Sequence, residues 1–167
     1  SDCAECDSTS RKVGDPLDRD VYLGPVIDEG AVATFEDAAN EAKKNGNLIT
    51  GGERLTEGAF AKGTFVQPTV AEVPLDPWIW KQQLFVPFVS VAPYEDLDDA
   101  IRLANDTEYG LTAGLYSEDR GEIDRWLSSI EAGVVYVNRR AGATTGAWPG
   151  VQPFGGWKGS GTSGKAG

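Results

Sequence analysis

Three segments of the chain carry apolar residues at the spacing of an α-helix. The first runs from about Glu29 to Asn45 and is followed by Gly46, a residue type that often ends helices. The second is LDDAIRLAND, and the third is DRGEIDRWLSSIEAG, which we expect to end at Gly133. The predicted buried faces consist of Ala31, Phe35, Ala38, Ala39 and Ala42, then Leu97, Ala100, Ile101 and Ala104, and then Ile123, Trp126, Leu127 and Ile130.

Five apolar stretches between these helices have the lengths and residue types of β-strands. They are NLITGG, GTFVQPTVAEV, QLFVPFVSVAPY, GLTAGLYS and VVYVNR, and Pro68 marks an edge or a bulge in the second of them. The segment VGDPLDRDVYLGPVID is punctuated by glycine and proline and is predicted to be a loop. The alternation of strands and helices predicts an α/β fold, an open and mostly parallel sheet flanked by helices with right-handed crossovers.

The length, composition and charge of the chain limit which kinds of protein it can be. It has 167 residues, of which 40% are hydrophobic and 25% charged, as in an ordinary globular domain. Its formal net charge of −11 repels phosphate backbones, so we expect no nucleic-acid partner and a solvated acidic surface. No apolar run approaches the roughly 18 residues that span a bilayer, and the first residues do not form a signal peptide. We therefore expect a cytoplasmic protein without a membrane partner.

The chain has two cysteines, Cys3 and Cys6, and no histidine. A zinc site needs about four nitrogen or sulfur ligands, which this chain does not supply alone, so no metal site is predicted. The Cys-x-x-Cys spacing is also that of a redox pair, but such a pair normally opens a helix after a strand. Two unpaired thiols are the alternative interpretation. Without histidine, Ser-His-Asp and Cys-His catalysis are excluded.

The glycine-rich stretch GVQPFGGWKGSGTSGKAG superficially fits two phosphate-binding patterns. A dinucleotide loop opens a helix and is followed by an acidic residue about 20 positions later, and this stretch has neither. A P-loop needs Ser or Thr where Ala166 stands. The preceding loop, RAGATTGAWPG, consists mostly of small residues, which let a ligand approach backbone amides. It is interpreted either as a carboxylate-binding loop or as a structural crossover.

Two long stretches resemble the aldehyde dehydrogenase superfamily. They are LFVPFVSVAPYEDLDDAIRLANDTEYGLTAGLYSED and IEAGVVYVNRRAGATTGAWPGVQPFGGWKGSG, and VGDPLDRDVYLGPVID resembles the segment that precedes them. The resemblance covers residues 12–167 and implies a partial, truncated catalytic domain of this family. Residues 1–11 are a cysteine-containing segment of uncertain origin. Within the family, TGAWPGVQPFGG is most similar to the pyrroline-carboxylate (glutamate semialdehyde) dehydrogenase branch.

The resemblance implies oxidation of an aldehyde to an acid with NAD or NADP through a cysteine nucleophile. DCAECDS resembles the family's QKCSACSR, which makes Cys3 the candidate nucleophile. Gln83 and Phe85 stand at the family's Glu-x-Phe cofactor site, with Gln83 in place of the glutamate that holds the nicotinamide ribose. For Phe85, a plain core position in a strand is the alternative. Residues that match the substrate α-carboxylate loop and the wall of the aldehyde tunnel are Thr145, Gly146, Ala147 and Phe154.

Several parts that the family uses have no counterpart in the sequence. They are the Rossmann-like cofactor domain, the glutamate base, the oxyanion asparagine and the strand that joins subunits. Two hypotheses follow. The chain is part of a semialdehyde dehydrogenase that acts as a homo-oligomer or with a complementary chain, or it is a carboxylate-binding module without redox chemistry. We also expect uncovered apolar faces to promote association.

Overall fold

The computed structural model describes residues 11–139 and 155–161. The chain divides into two compact units, Ser1–Pro93 and Tyr94–Gly167. The described helices are α1 (Glu29–Asn45), α2 (Leu97–Asn105) and α3 (Arg120–Ser129), and short 3₁₀ helices cover Gly58–Phe60, Trp78–Trp80 and Lys158–Ser160. The described strands are β1 (Asn47–Thr50), β2 (Arg54–Leu55), β3 (Phe65–Val66), β4 (Thr69–Glu72), β5 (Phe88–Val91), β6 (Thr112–Leu115) and β7 (Val134–Val137).

Each α-helix begins at an aspartate whose side chain accepts a hydrogen bond from a first-turn N–H. Asp28 caps α1, Asp96 caps α2 and Asp119 caps α3. Such a side chain satisfies one of the N–H groups that have no partner within the helix. The bounds predicted for α1 are confirmed, and the Gly46 N–H donates to the Ala42 carbonyl at 2.9 Å to close its last turn.

The first unit builds its core where α1 packs on the strands. One cluster of buried residues joins the end of α1 to β4, and a second joins its beginning to β3. Phe35 of α1 is fully buried and meets the ring of Phe88 edge to face, with 6.4 Å between ring centroids. The buried apolar residues of α1 are Val32, Phe35, Ala38, Ala39 and Ala42, so Val32 rather than Ala31 begins the buried face.

The sheet of the first unit is mixed. Its strand order is β1-β4-β5, with β1 antiparallel to β4 and β4 parallel to β5, and β2 pairs with β3 as a separate antiparallel ribbon. A parallel pair needs a crossover, usually a helix, between its strands. Only β2, a 3₁₀ turn and β3 lie between β1 and β4, so the chain returns antiparallel there. The single strand predicted over GTFVQPTVAEV, with an edge or a bulge at Pro68, is instead two strands, because Pro68 lies between β3 and β4.

A buried threonine, Thr69, closes the turn that follows β1. Its hydroxyl accepts a hydrogen bond from the Gly52 N–H at 2.8 Å and donates one to the Gln67 carbonyl at 2.9 Å. Only 2% of Thr69 is exposed, so water does not replace these partners. The turn itself uses Gly51 and Gly52, both with positive φ.

The second unit contains α2, α3 and the parallel pair β6–β7. Its buried cluster consists of Ile101, Trp126 and Ile130, with half-buried residues of β6 and β7 packed against it. The sequence prediction was wrong at Leu127, which is 44% exposed. It was also wrong about the end of α3, because the backbone becomes extended at Ile130, before Gly133. The α/β fold class is confirmed, and where a mostly parallel sheet was predicted, the described strands form two parallel and two antiparallel pairings.

The predicted loop before α1 is stabilised by hydrogen bonds among its own polar groups. The pKa of Asp18 lies below its ordinary value, because the carboxylate accepts the Asp20 N–H and, in addition, a hydrogen bond from the Lys12 ammonium. Asp18 is exposed, so the arrangement orders the loop locally. Within residues 11–139 and 155–161, every helix is too short or too polar to cross a membrane.

Candidate functional site

Gln83 and Phe85 lie on the segment that joins the 3₁₀ helix Trp78–Trp80 to β5. Two alternate residues of this segment point inward: Leu84 packs on the cluster at the end of α1, and Val86 packs on the cluster at its beginning. Gln83 and Phe85 are exposed. The inward residues therefore fix the segment to the core, and the outward ones are presented to solvent side by side.

Phe85 combines an exposed ring with an unusual backbone. Its side chain is 81% exposed and its φ is 55°, in the left-handed region that bulky residues rarely adopt. The alternative that Phe85 is a core residue of the strand is wrong. The strand predicted over QLFVPFVSVAPY is limited to Phe88–Val91, since the left-handed residue interrupts the extended backbone before it. Strained backbone of this kind clusters at active sites, ligand clamps and switch regions, so Phe85 is a candidate for a ligand contact.

The chemistry of this pair suits a ribose and an aromatic ring. The Gln83 amide both donates and accepts hydrogen bonds, so it can bind a vicinal pair of hydroxyl groups. It is neutral, and a hydrogen bond to a neutral acceptor is roughly half as strong as one to a carboxylate. The exposed face of Phe85 can stack against a flat heterocycle. The two residues therefore fit the ribose and base of a nicotinamide nucleotide.

The other predicted site residues lie outside the described residues. These are Cys3 as nucleophile, and Thr145, Gly146, Ala147 and Phe154 as substrate contacts. Gln83 and Phe85 are exposed two positions apart on one segment, and the other predicted site residues are not tested by the structure. It also reveals two residues that the sequence did not indicate, Asn138 and Lys158. Both have left-handed backbone, and they flank residues 140–154.

Comparison with known proteins shows which family this chain belongs to. A model of the aldehyde dehydrogenase family matches residues 5–167. The chain belongs to the aldehyde dehydrogenase family. The matched range contains Cys6 and begins two residues after Cys3. The family resemblance seen in the sequence is therefore confirmed.

Two similar proteins carry the name 1-pyrroline-5-carboxylate dehydrogenase. This aldehyde dehydrogenase chain is 42% identical over 157 residues to a 1-pyrroline-5-carboxylate dehydrogenase from a Geobacillus species, covering 93% of this chain and 29% of the relative. A solved structure of a Thermus thermophilus 1-pyrroline-5-carboxylate dehydrogenase variant superposes with a TM-score of 0.83 at 38% identity, covering 96% of this chain and 30% of the other. The chain thus spans about three tenths of the length of these relatives.

A second solved structure bears on the cofactor. A Thermus 1-pyrroline-5-carboxylate dehydrogenase with bound NAD superposes with a TM-score of 0.80 at 37% identity, covering 92% of this chain and 28% of that one. The likeness supports the use of a nicotinamide cofactor within this group of structures.

Proposed function

We propose that this aldehyde dehydrogenase chain forms part of an NAD- or NADP-dependent enzyme that oxidises glutamate semialdehyde to glutamate. The observation that carries the proposal is Phe85, an exposed aromatic ring on left-handed backbone next to the exposed amide of Gln83. Folding alone does not favour this conformation, whereas a ring presented to a nicotinamide nucleotide accounts for it. The named relatives support the choice of substrate.

On this proposal Gln83 holds the ribose hydroxyls of the cofactor, and Phe85 packs beside the nicotinamide. When bound, that ring supplies an acceptor for a hydride. Because Gln83 is neutral, its bond to the ribose is weaker than the one a glutamate makes. Gln83 therefore orients the nicotinamide less firmly, and the affinity for NAD is expected to rise when Gln83 is replaced by glutamate.

The proposed chemistry uses a cysteine thiolate, with Cys3 as the candidate. The sulfur attacks the aldehyde carbon, a C–S bond forms, and the carbonyl electrons move to the oxygen. As the carbonyl re-forms and the cysteine thioester results, a hydride would leave the same carbon, and a bound nicotinamide would supply the acceptor for that hydride. Water attacks the thioester, the C–S bond breaks, and the acid and the free thiol are released.

Substrate selection is assigned to the small-residue loop before residue 155. Thr145, Gly146 and Ala147 would hold the α-carboxylate of the semialdehyde, and Phe154 would form an apolar wall beside the aldehyde. Backbone amides of small residues can converge on a carboxylate without steric hindrance. The complete catalytic machinery would be assembled in a homo-oligomer or with a complementary chain.

The alternative is a carboxylate-binding module without redox activity. It rests on the loop RAGATTGAWPG, whose mostly small residues let a carboxylate approach the backbone amides. Such a module would bind glutamate through the same loop and would not turn over an aldehyde. The two functions therefore differ in whether the wild-type chain turns over the aldehyde.

The decisive experiment measures NADH formation from glutamate semialdehyde and NAD by the purified chain, with folding verified by circular dichroism. Cys3→Ala should abolish turnover and preserve glutamate binding, while Cys6→Ala, the matched control, should retain turnover. Repeating the assay with NADP distinguishes the two cofactors. A folded chain that binds glutamate but never reduces NAD would favour the binding module. Turnover that survives Cys3→Ala would refute the assignment of Cys3.

A further inference from the structure

The segment that carries Phe85 is joined by hydrogen bonds to the rest of the first unit on both sides. Upstream, the Trp80 indole N–H donates to the Pro74 carbonyl at 2.6 Å, which connects the 3₁₀ helix to the chain that follows β4. Downstream, the N–H of the buried Thr69 in β4 donates to the Pro87 carbonyl at 2.9 Å. The segment therefore begins and ends at positions that β4 and its continuation fix.

Between these two positions, the neighbours of Phe85 pack into different parts of the core. Leu84 lies against the cluster at the end of α1 that includes Ala42. Val86 lies against the cluster at the beginning of α1 that includes Val32. Both neighbours are half-buried, and they are held near opposite ends of the same helix.

The backbone of Phe85 has to fit between these two anchored neighbours. Its φ of 55° is disfavoured for any residue that has a Cβ atom. Such a conformation persists only where the surrounding structure determines it. Pro87 adds to this restriction, because a residue that precedes proline is confined to extended backbone, and that residue is Val86. If either anchor is released, residue 85 can return to a more common conformation, and its ring then points in a different direction.

The direction of the Phe85 ring matters for a ligand that packs against it. The ring is 81% exposed, so contacts of its own do little to hold it in place. A ligand that needs one conformation binds with an affinity reduced by the fraction of molecules that adopt that conformation. The packing of the two neighbours therefore sets how much of the intrinsic affinity is realised.

We propose that Leu84 and Val86 are positioning residues that hold Phe85 in the conformation in which its ring packs beside the nicotinamide. This inference rests on the proposed function, which assigns the nicotinamide nucleotide to Gln83 and Phe85. Neither Leu84 nor Val86 is assigned a contact with the cofactor. Each acts through the backbone of Phe85 by keeping one of its neighbours in the core.

The chain offers a matched control for each positioning residue. Leu48, like Leu84, is a half-buried leucine packed against the cluster at the end of α1. Val26, like Val86, is a half-buried valine packed against the cluster at its beginning. Neither control lies on the segment that carries Phe85. Truncation to alanine removes the same atoms within each pair, so we expect similar losses of stability within a pair.

The test compares Leu84→Ala with Leu48→Ala, and Val86→Ala with Val26→Ala, in the full chain. The probe is nicotinamide mononucleotide, which carries only the ribose and ring that the proposed site would contact. A nuclear magnetic resonance titration gives its dissociation constant, and the ¹³C shifts of Phe85 report the backbone conformation there. Urea denaturation gives the stability of each variant. Val86→Ala is the smaller truncation and keeps the test valid if Leu84→Ala does not fold.

We expect Leu84→Ala and Val86→Ala to bind the mononucleotide about tenfold more weakly, as when the presented conformation falls to about a tenth of the molecules. The ¹³C shifts of Phe85 should move away from those of left-handed backbone in the same two variants. Leu48→Ala and Val26→Ala should lose stability and keep both the affinity and the shifts. Leu84→Met, which conserves volume, should restore most of the affinity.

Two results would overturn the inference, and they have different consequences for the proposed function. If wild type binds the mononucleotide and the positioning variants lose no more affinity than their matched controls, the positioning role is wrong and the proposed function stands. If wild type does not bind the mononucleotide, the cofactor contact of Gln83 and Phe85 fails, and the positioning role fails with it.

Discussion

Replacement of Gly133 by alanine tests how closely residues 155–161 pack against the rest of the second unit. A Cβ at Gly133 would lie 1.7 Å from the Gly155 carbonyl oxygen and 2.8 Å from the Gly156 Cα. A normal contact of this kind is roughly 3.5 Å. The backbone of one segment would therefore have to move by well over 1 Å, because neither neighbouring atom belongs to a flexible side chain.

The molecule can accommodate the methyl group in two ways. Distortion of a packed region costs about 1–3 kcal/mol. Undocking of residues 155–161 instead loses three hydrogen bonds to residues 108–110, at about 1 kcal/mol each, together with the Lys158 contacts to Asn105 and Glu131, so this route costs roughly 3 kcal/mol or more. The molecule will adopt whichever arrangement costs less free energy, so we expect Gly133→Ala to lower the free energy of unfolding by about 1–3 kcal/mol.

Urea denaturation followed by circular dichroism measures this loss. The control is Gly114→Ala in β6, where the nearest atom to an added Cβ is the Tyr136 carbonyl oxygen at 3.9 Å, an ordinary contact. This control should match wild type or exceed it slightly, because glycine weakens a strand. Equal midpoints for the two alanine variants would refute the close packing of residues 155–161 against Gly133.

Three further predictions address the first unit. Phe35→Ala should lower the free energy of unfolding by about 3–5 kcal/mol, measured by urea denaturation, because it empties a fully buried site. Thr69→Val should lower it by about 1–3 kcal/mol by leaving the Gly52 N–H buried without a partner, whereas Thr69→Ser should retain most of the stability. Nuclear magnetic resonance titration should give Asp18 a pKa below its ordinary value, still lowered in Lys12→Gln because the backbone hydrogen bond is the largest cause. Since that pKa is lowered on folding, its stabilising effect is present above the ordinary pKa and is lost as the pH falls through the folded value.

Helices were the most predictable part of this fold. The run from Glu29 to Asn45 combines a capping aspartate, regular apolar spacing and a final glycine, and these local signals agree with the structure. Strands were harder, because their extent depends on partners that are distant in sequence. The long apolar run around Phe88 yields only four strand residues, since Phe85 adopts a backbone that no residue pattern announces. Leu127 fits the helical period and is nevertheless exposed, because periodicity does not show how wide the covered face is.

The residues of the candidate site also differ in how far the sequence predicted them. Gln83 and Phe85 were located by family resemblance, and the structure adds how the segment presents them. Asn138 carried a weak local signal, because asparagine tolerates the left-handed region better than most residues. Lys158 carried none. Its contacts with Glu131 and Asn105 join positions far apart in the sequence, which only the folded chain brings within its reach.

Selection for stability alone would disfavour the left-handed backbone conformation at Phe85. Left-handed backbone costs a residue with a Cβ about 1–2 kcal/mol, and glycine would escape that cost at this position. An engineering campaign that ranks variants by melting temperature would therefore favour glycine here and discard the aromatic ring. Such a variant would be more robust and, on the proposed function, a poorer binder of its cofactor. Any stabilised version of this chain should keep position 85 fixed.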